Sequence, residues 1–301
     1  MTPTDQTLPP ARRLAGALEA FAGQVYFAPE AHSEYQKLGF SGSSGEAGGV
    51  AMPDPAAYFC SRGSVLGQVP GSVVAAAFAV FNPAVVVPAV THGWSLTTAE
   101  DIFAARDRAA VGQLQRVLGD HPTGAQELAD LLGPVSASLP VAGHPLYAGL
   151  LDAPVPEGPL GAAWRFADRL REFRGDAHTA TWTAAGYSAV EIGLVTELYW
   201  GLPLKTYIRT RGWSDAELDA GIAALEGRGL IRAGALTARG RQDRERIETV
   251  TDGQCAPIVE SLGDDVDRVV GVLRGFSAAV SQAHGYPAAG PHDLAASHAD
   301  Q

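Results

Sequence analysis

The chain has 301 residues, is 46% hydrophobic and carries a formal net charge of −11. No apolar stretch approaches the length of a bilayer span, which predicts a soluble chain of one large or two modest domains and no membrane partner. The negative charge opposes nonspecific attraction to nucleic acid, because that attraction depends on cationic side chains.

The amino terminus, MTPTDQTLPPARR, has no hydrophobic region of the kind that a signal peptide requires. The two cysteines, Cys60 and Cys255, are far apart and show no metal-binding or CxxC spacing. Isolated thiols of this kind are typical of a reducing compartment. We therefore expect a cytoplasmic protein with buried, inert cysteines.

The predicted elements are mainly helices, because apolar residues recur at spacings of three and four, as in Leu14, Leu18, Phe21 and Val25. Two stretches rich in Gly, Ser or Pro interrupt this pattern. They divide the chain into a loose tail (1–10), a first module (11–142) with an internal loop (41–55), a linker (143–159), a second module (160–284) and a loose tail (285–301).

The longest apolar run extends from Val73 to Val90 and is interrupted by Asn82, Pro83 and Pro88. Proline breaks a helix, and the uninterrupted pieces are too short to span a bilayer. The run therefore predicts a pair of buried helices.

One pattern recurs in both halves of the chain. Thirteen residues separate Phe81 from Trp94, and the same number separates Trp200 from Trp213. Each half also has an Arg-Gly pair before an apolar helix. Trp94 and Trp213 each lie in a Gly-Trp-Ser sequence that precedes another helix, and this helix is expected from 98 to 114 in the first half. The repeat predicts two copies of one helical module, in which the tryptophan closes a turn and the serine caps the next helix.

The second copy continues as EGRGLIRAGALTARGR, with a helix ending near Gly229, an apolar strand at Leu230-Ile231, a short connection, a returning Leu236-Thr237 and a long helix. Over residues 195–279 this arrangement resembles the winged-helix part of the MarR regulators. The resemblance implies a winged helix followed by helices that in that family form a dimer interface.

The whole chain, with YFAPEA, the paired RG and GWS elements and RGDAH, also resembles a family of actinobacterial helix-turn-helix proteins of largely unassigned role. The two resemblances together imply a mainly α fold of tandem winged-helix or helix-turn-helix modules, arranged as a MarR-like pseudo-dimer with small β-wings. They supply no activity.

Two departures argue against DNA reading. The helix of the second module begins with Asp215, Glu217 and Asp219, and that of the first with Glu100 and Asp101. Carboxylates in a first turn stabilise a helix but repel phosphates at the turn that approaches DNA. The connection at 232–235 is also too short for a wing that reaches the minor groove. We therefore expect the motif's fold without its reading surface.

No HExxH, GxSxG, Walker or GxGxxG motif is present, and no cofactor or metal site is predicted. The remaining candidates for a functional site are a set of polar and aromatic residues. Arg174, His178 and Trp182 follow one another at intervals of four and would share one helix face. The candidate ligand-binding residues are Tyr26, Phe27, Glu30, Arg62, Arg174, His178, Trp182, Tyr199 and Trp200; in an enzyme, the candidate catalytic groups are His178, Arg174 and Tyr26.

Structural explanations stand beside these assignments. Glu30 is also explained by an ion pair with an arginine, and Tyr199 and Trp200 by burial in the core.

Three functions remain open. The first is binding of an apolar or aromatic small molecule between the two modules, by a binding protein or a natural-product tailoring enzyme that has lost DNA binding. The alternatives are a MarR-like, ligand-responsive transcriptional regulator and a protein-interaction module. Either a monomer with internal pseudo-symmetry or a homodimer fits the sequence.

Overall fold

The computed structural model describes residues 8–287, which form helices and two small antiparallel sheets. The helices are α1 (Pro10–Gly23), α2 (Pro29–Lys37), α3 (Pro55–Gly63), α4 (Gly71–Phe78), α5 (Pro83–Leu96), α6 (Ala99–Leu118), α7 (Ala125–Ala137), α8 (Pro145–Leu151), α9 (Gly158–Ala184), α10 (Ala189–Tyr199), α11 (Asp215–Gly227), α12 (Ala238–Gln254), α13 (Ala256–Leu262) and α14 (Val266–Gln282). The strands are β1 (Ser43–Ala47), β2 (Val50–Pro53), β3 (Ile231–Arg232) and β4 (Ala235–Leu236).

The larger of two hydrophobic clusters combines residues 11–173 with residues 255–280. Its elements are α1 to α8, the first part of α9, α13 and α14, and we call this unit the helical body. Helix α1 packs against α14, where the rings of Phe21 and Phe276 lie 5.6 Å apart. The two ends of the described chain are therefore held together in one core.

The smaller cluster contains residues from 182 to 247. It consists of α10, a 3-10 turn (Tyr207–Arg211), α11, the β3–β4 hairpin and the first part of α12, and we call it the winged-helix part. Leu218 and Leu225 are buried on the inner face of α11, and Ile231 begins the hairpin against them. This is the helix, turn, helix and short wing that the sequence predicted for this region.

Two helices run through both clusters. Helix α9 contributes Trp164 and Phe173 to the helical body and Trp182 to the winged-helix part. Helix α12 contributes Ile247 to the winged-helix part and ends at the buried Cys255 of the helical body. The two parts are thus joined by regular helix along one side.

The division between the two hydrophobic clusters does not coincide with the module boundaries that were predicted from the sequence. The predicted linker at 143–159 contains α8, whose Tyr147 and Leu150 are fully buried. Its proline-rich composition reflects a short helix with Pro145 in the first turn rather than a flexible connection. The helical body also continues into α13 and α14, which the sequence had assigned to the second module.

The predicted loop at 41–55 is in part a hairpin of β1 and β2. Gly48 and Gly49 connect the strands with φ of +59° and +82°, a conformation that two adjacent glycines adopt readily. A Gly-Gly pair is typical of a hairpin turn, but the sequence prediction assigned the segment only as a loop.

The Gly-Trp-Ser sequences differ in structure, so this part of the predicted repeat is wrong. Helix α5 continues through Trp94 and Ser95, and Thr98 rather than Ser95 caps α6. In the second half Ser214 caps α11 as predicted. The indole N–H groups of Trp94 and Trp213 donate to the backbone carbonyl oxygens of other segments, which supports a structural role for both.

The apolar run at 73–90 forms the predicted pair of helices, α4 and α5. They approach closely at Gly71, where a Cβ would lie 2.8 Å from backbone atoms of Val87. The pair is not fully buried, however, because Val73 and Val85 are 44% and 37% exposed. None of the helices within residues 8–287 is both long and apolar enough to cross a membrane.

The predicted tails are shorter than expected where they can be followed. Pro10 already begins α1, and the Tyr286 hydroxyl donates to Glu19 at 2.7 Å. The rest of both predicted tails, 1–7 and 288–301, lies outside the described residues.

Candidate functional site

A cavity of about 1090 Å³ lies between the helical body and the winged-helix part. Its walls combine aromatic rings from α3 and the α4–α5 corner with the inner faces of α9 and α10. A space of this size is at the upper end of the range that small-molecule sites occupy. The cavity is therefore large enough for a drug-sized ligand.

Most of the predicted site residues line this cavity. They come from four separate regions of the sequence and are Tyr26, Phe27, Arg62, Arg174, His178, Trp182 and Trp200. The fold brings these regions together because α1 and its 3-10 extension (Gln24–Phe27) pack beside α9 in the helical body.

Glu30 and Tyr199 lie outside the cavity. Glu30 pairs with Arg116 of α6 on a different face of the helical body, which is the structural alternative for this residue. Tyr199 points towards α12, where its hydroxyl donates to Glu245 and Arg244 lies over its ring at 5.0 Å. Helical spacing alone did not distinguish the face of α10 that holds Tyr199 from the cavity face.

Arg174, His178 and Trp182 share one face of α9, as their spacing predicted. Arg174 Nη2 donates to Glu248 of α12 at 2.7 Å, and His178 Nδ1 lies 3.2 Å from Thr251 Oγ1. Both contacts connect α9 with α12, the two helices that contribute to both hydrophobic clusters.

Glu248 is the centre of this attachment. It lies within ion-pair distance of Arg12, Arg174 and Arg244 and is almost fully buried. Burial by itself would raise the pKa of Glu248, but Arg244 and Arg174 hold it well below its ordinary value. The arginine–carboxylate cluster is therefore a charged structural element in the cavity wall.

Tyr26 belongs to a second buried network. Its hydroxyl accepts a hydrogen bond from Arg106 Nη2 at 3.0 Å, and the same nitrogen donates to Asp168. Burial raises the pKa of Tyr26, so the phenol stays protonated at neutral pH. The Tyr26 hydroxyl is thus a hydrogen-bonded group of the cavity wall.

Arg62 also forms an ion pair, with the buried carboxylate of Glu172. Its Nε and Nη2 donate to the two oxygens of Glu172 at 2.9 and 2.7 Å, and its guanidinium lies 4.5 Å from the ring centre of Phe78. A bidentate pair of this kind fixes the side chain along the wall. Arg62 and Phe78 both line the cavity, so this part of the wall combines a paired guanidinium with an aromatic ring.

An aromatic group that the sequence did not single out completes the wall. Tyr58 lies within 5.0 to 6.3 Å of the rings of Tyr26, Phe59, Phe78 and Phe81. Tilted and edge-to-face contacts at these distances are favourable. In the sequence these rings are indistinguishable from ordinary core residues, because apolar periodicity does not show which ring borders a cavity.

Asp176 is a further wall residue that the sequence missed. Its Oδ2 accepts the backbone N–H groups of Leu146 and Tyr147 at 3.0 and 3.1 Å, at the start of α8. Burial, reinforced by the nearby Glu172, raises the pKa of Asp176 to about 7. The RGDAH sequence contained this carboxyl, but only the fold shows its burial.

A set of contacts that we call the latch joins the two parts opposite α9 and α12. The backbone N–H and side-chain amide of Asn82 donate to the carbonyl oxygens of Arg211 and Gly212 at 2.9 and 3.1 Å. The Trp213 indole donates to Val80 at 2.9 Å, and the Arg211 guanidinium lies 4.6 Å from the ring centre of Phe81. The cavity is therefore bounded by regular helices on one side and by the latch on the other.

The outer face of α11 is acidic and internally paired. Asp215 pairs with Arg209, and Asp219 pairs with Lys205. Glu217 forms a capping box with Ser214, in which each side chain bonds the other residue's backbone N–H. The carboxylates thus neutralise the neighbouring cations and cap the helix, which leaves little positive charge at the turn that would face DNA.

The wing is small, as expected from the sequence. Its strands pair only through Ile231 with Leu236 and Arg232 with Ala235. The turn between them, Ala233-Gly234, has positive φ at both residues and so closes the hairpin in two residues.

Similarity to known proteins is found at the level of a family. No curated protein and no solved structure is significantly similar to the chain. A family profile described as a helix-turn-helix family matches residues 11–287, which covers the helical body as well as the winged-helix part. The chain belongs to this helix-turn-helix family.

Proposed function

We propose that the protein binds an apolar or aromatic small molecule in the cavity between the helical body and the winged-helix part. The observation that carries the proposal is the cavity itself, about 1090 Å³ in volume and walled by aromatic rings beside fixed arginines. Sites for small molecules typically combine apolar walls with a few positioned polar groups.

The MarR-like resemblance and the tandem pseudo-dimer enter the proposal as a working hypothesis. In MarR-like dimers the ligand crevice lies between the dimerisation and winged-helix parts. Here the cavity lies between the helical body and the winged-helix part, and residues of both line it. The proposal rests on this position and does not require that the two halves arose by duplication.

Binding is better supported than a tailoring reaction. Arg174 is held by Glu248 and Asp252, Tyr26 is held by Arg106, and His178 lies 3.2 Å from Thr251, so all three candidate catalytic groups have structural partners. A general base must instead be able to take a proton in the working pH range. The natural-product assignment is therefore a hypothesis about the origin of the ligand, and it does not imply that the protein converts this ligand.

A pair of substitutions on α9 tests the proposal. Thr179 lines the cavity, whereas Thr183 lies one turn later on the exposed side and is not part of the wall. Thr179→Trp should fill part of the cavity and weaken binding of the fluorescent probe 1-N-phenylnaphthylamine by at least about tenfold. Thr183→Trp is the matched control and should bind the probe like the unmodified protein.

Fluorescence titration and native mass spectrometry supply the readouts. A co-purifying or added apolar ligand should be retained by the unmodified protein and by Thr183→Trp. If the unmodified protein shows no saturable binding, or if Thr179→Trp binds equally well, the proposal is wrong.

A DNA-binding regulator is the second candidate, because the family is a helix-turn-helix family. The acidic face of α11 and the two-residue strands of the wing argue against it. Electrophoretic mobility of DNA from upstream of the gene should show no sequence-selective retention. Tight retention that weakens steeply as salt rises would favour the regulator instead.

A further inference from the structure

Six arginines line the cavity between the helical body and the winged-helix part. Five of them form ion pairs with carboxylates, and these five are Arg62, Arg171, Arg174, Arg209 and Arg244. The sixth is Arg211, whose side chain contacts a hydroxyl and two aromatic rings but forms no ion pair within residues 8–287. The chain has 33 acidic and 22 basic residues, so an unpaired cation in the wall of a cavity needs an explanation.

The carboxylates that follow Arg211 in the sequence have other partners. Asp215 and Asp219, near the start of α11, form ion pairs with other cations. Glu217 accepts hydrogen bonds from the backbone N–H and the hydroxyl of Ser214. The lack of an ion pair at Arg211 is therefore not caused by a shortage of acidic residues in the neighbouring sequence.

Arg211 is held in place without a carboxylate. Its backbone carbonyl oxygen accepts the N–H of Asn82 at 2.9 Å, as part of the latch. Its guanidinium lies 4.6 Å and 4.5 Å from the ring centres of Phe81 and Tyr207, and it donates to the Tyr207 hydroxyl. Both rings also line the cavity. A guanidinium has five N–H donors, and contact with the rings does not use them.

A positioned guanidinium beside aromatic rings favours one kind of ligand. Its planar set of donors matches the oxygens of a carboxylate or a similar oxyanion, and such charge-assisted hydrogen bonds are stronger than neutral ones. The attraction is greater where apolar walls exclude water. The net charge of −11 gives no general attraction for anions, so recognition of an anion would have to be local.

We propose that the ligand of the cavity is an amphipathic anion, in which an apolar or aromatic body carries one oxyanion group that is bound by Arg211. One such group is expected because the other five arginines of the wall are already paired with carboxylates. This inference rests on the ligand binding proposed above and specifies the charge of the ligand.

Two probes that differ only in charge test the inference. They are 1-N-phenylnaphthylamine and 8-anilinonaphthalene-1-sulfonate, which is the same molecule with one added sulfonate. In calorimetric titration, Arg211→Gln should weaken binding of the sulfonate at least about tenfold, because a charge-assisted contact is lost. Binding of the neutral probe should change by less than about twofold, which also shows that the variant is folded.

Arg232→Gln is the matched control. Arg232 is exposed, lies outside the cavity wall and forms no ion pair among the described residues. Its substitution removes the same charge from the winged-helix part and should leave the binding of both probes unchanged. Thr179→Trp, which fills part of the cavity, should weaken both.

A second measurement uses the unmodified protein alone. Decanoate and 1-decanol have the same number of carbon atoms, and each can displace the bound neutral probe. The alcohol leaves water more readily than the charged acid does. Displacement by decanoate at a lower concentration than by decanol is therefore expected only if the cavity offers a cation, and this arm extends the test from a sulfonate to a carboxylate.

The outcomes separate this inference from the proposed function. If the neutral probe shows no saturable binding to the unmodified protein, the proposed function is wrong and the inference fails with it. If the neutral probe binds but Arg211→Gln binds the sulfonate as tightly as the unmodified protein does, the cavity is a ligand site and the role of Arg211 is refuted. Sulfonate binding that persists in Thr179→Trp, or decanol that displaces the probe better than decanoate, would also overturn the inference.

Discussion

Asp176 contributes a pH-dependent term to stability. The pKa of its carboxyl is raised to about 7 in the folded protein by burial, above the ordinary value of an aspartate. The folded state therefore binds the proton more tightly than the unfolded chain does. The favourable contribution is complete below pH 4 and is lost as the pH rises towards 7, so stability falls over this interval.

Asp176→Asn should remove this dependence, because the amide oxygen still accepts the backbone N–H groups of Leu146 and Tyr147 but cannot ionise. Relative to the unmodified protein, the variant should gain on the order of 1–3 kcal/mol in free energy of unfolding between pH 5 and pH 8. Urea denaturation at both pH values measures the difference. Asp120→Asn, at an exposed position, should show no such gain; identical pH profiles for Asp176→Asn and the unmodified protein would contradict the assignment.

The side chains of α9 show which features can be predicted from residue spacing and which cannot. The spacing of Arg174, His178 and Trp182 predicted one shared face, and the structure places all three on the cavity wall. The same reasoning did not foresee that Arg174 pairs with Glu248, since 74 residues separate them and only the packing of α12 against α9 brings them together.

Helices α10 and α11 begin with the same device. Ser188 with Glu191 and Ser214 with Glu217 each form a capping box. Ser214→Ala should lower the free energy of unfolding by about 1 kcal/mol, because a backbone N–H at the start of α11 loses its acceptor.

Chemical denaturation measures this loss, and Ser188→Ala should give a loss of similar size. Ser72→Ala, at an exposed position with no side-chain hydrogen bond among the described residues, is the control. A change below about 0.3 kcal/mol for Ser214→Ala would mean that tertiary packing alone fixes the start of α11.

Element prediction succeeded where capping and periodicity agreed. Ser214 starts α11, as its position predicted, and Leu218 and Leu225 follow it on the buried face of that helix. It failed at Ser95, because α5 remains helical until Leu96 and the next cap is Thr98. A serine after a Gly-Trp pair is therefore only a cap when the preceding chain has already left the helical conformation.

The latch connects the winged-helix part to the helical body through hydrogen bonds of Asn82 and Trp213. Asn82→Asp keeps the oxygen that caps α5 but removes the amide that donates to Gly212, and it brings a carboxylate near Glu217. We expect faster hydrogen exchange in the 3-10 turn Tyr207–Arg211 and at the start of α11. Exchange in α1 and α14, inside the helical body, should stay unchanged and provides the internal control.

Unchanged exchange in the winged-helix part would show that α9 and α12 alone position it. A uniform increase throughout the chain would instead indicate general destabilisation, and the latch would then have no local role.

At the scale of the whole molecule, the sequence predicted a mainly helical protein and a winged helix in its second half, but not the division between the cores. Local patterns placed a boundary at 143–159 because proline recurs there. The structure instead encloses this segment in the helical body, and it completes that body with residues after the winged helix. Such pairing of distant segments leaves no trace in local spacing.

The packing of α1 against α14 also has a consequence for synthesis on the ribosome. Helix α1 is made before the other described helices, but its contacts with α14 form only after Val266–Gln282 has been made. The winged-helix part, by contrast, is contiguous in sequence apart from its shared helices and is complete before α14 leaves the exit tunnel. Until α14 is made, the side of α1 that faces it has no partner, and Phe21 in particular is accessible to association with other apolar segments.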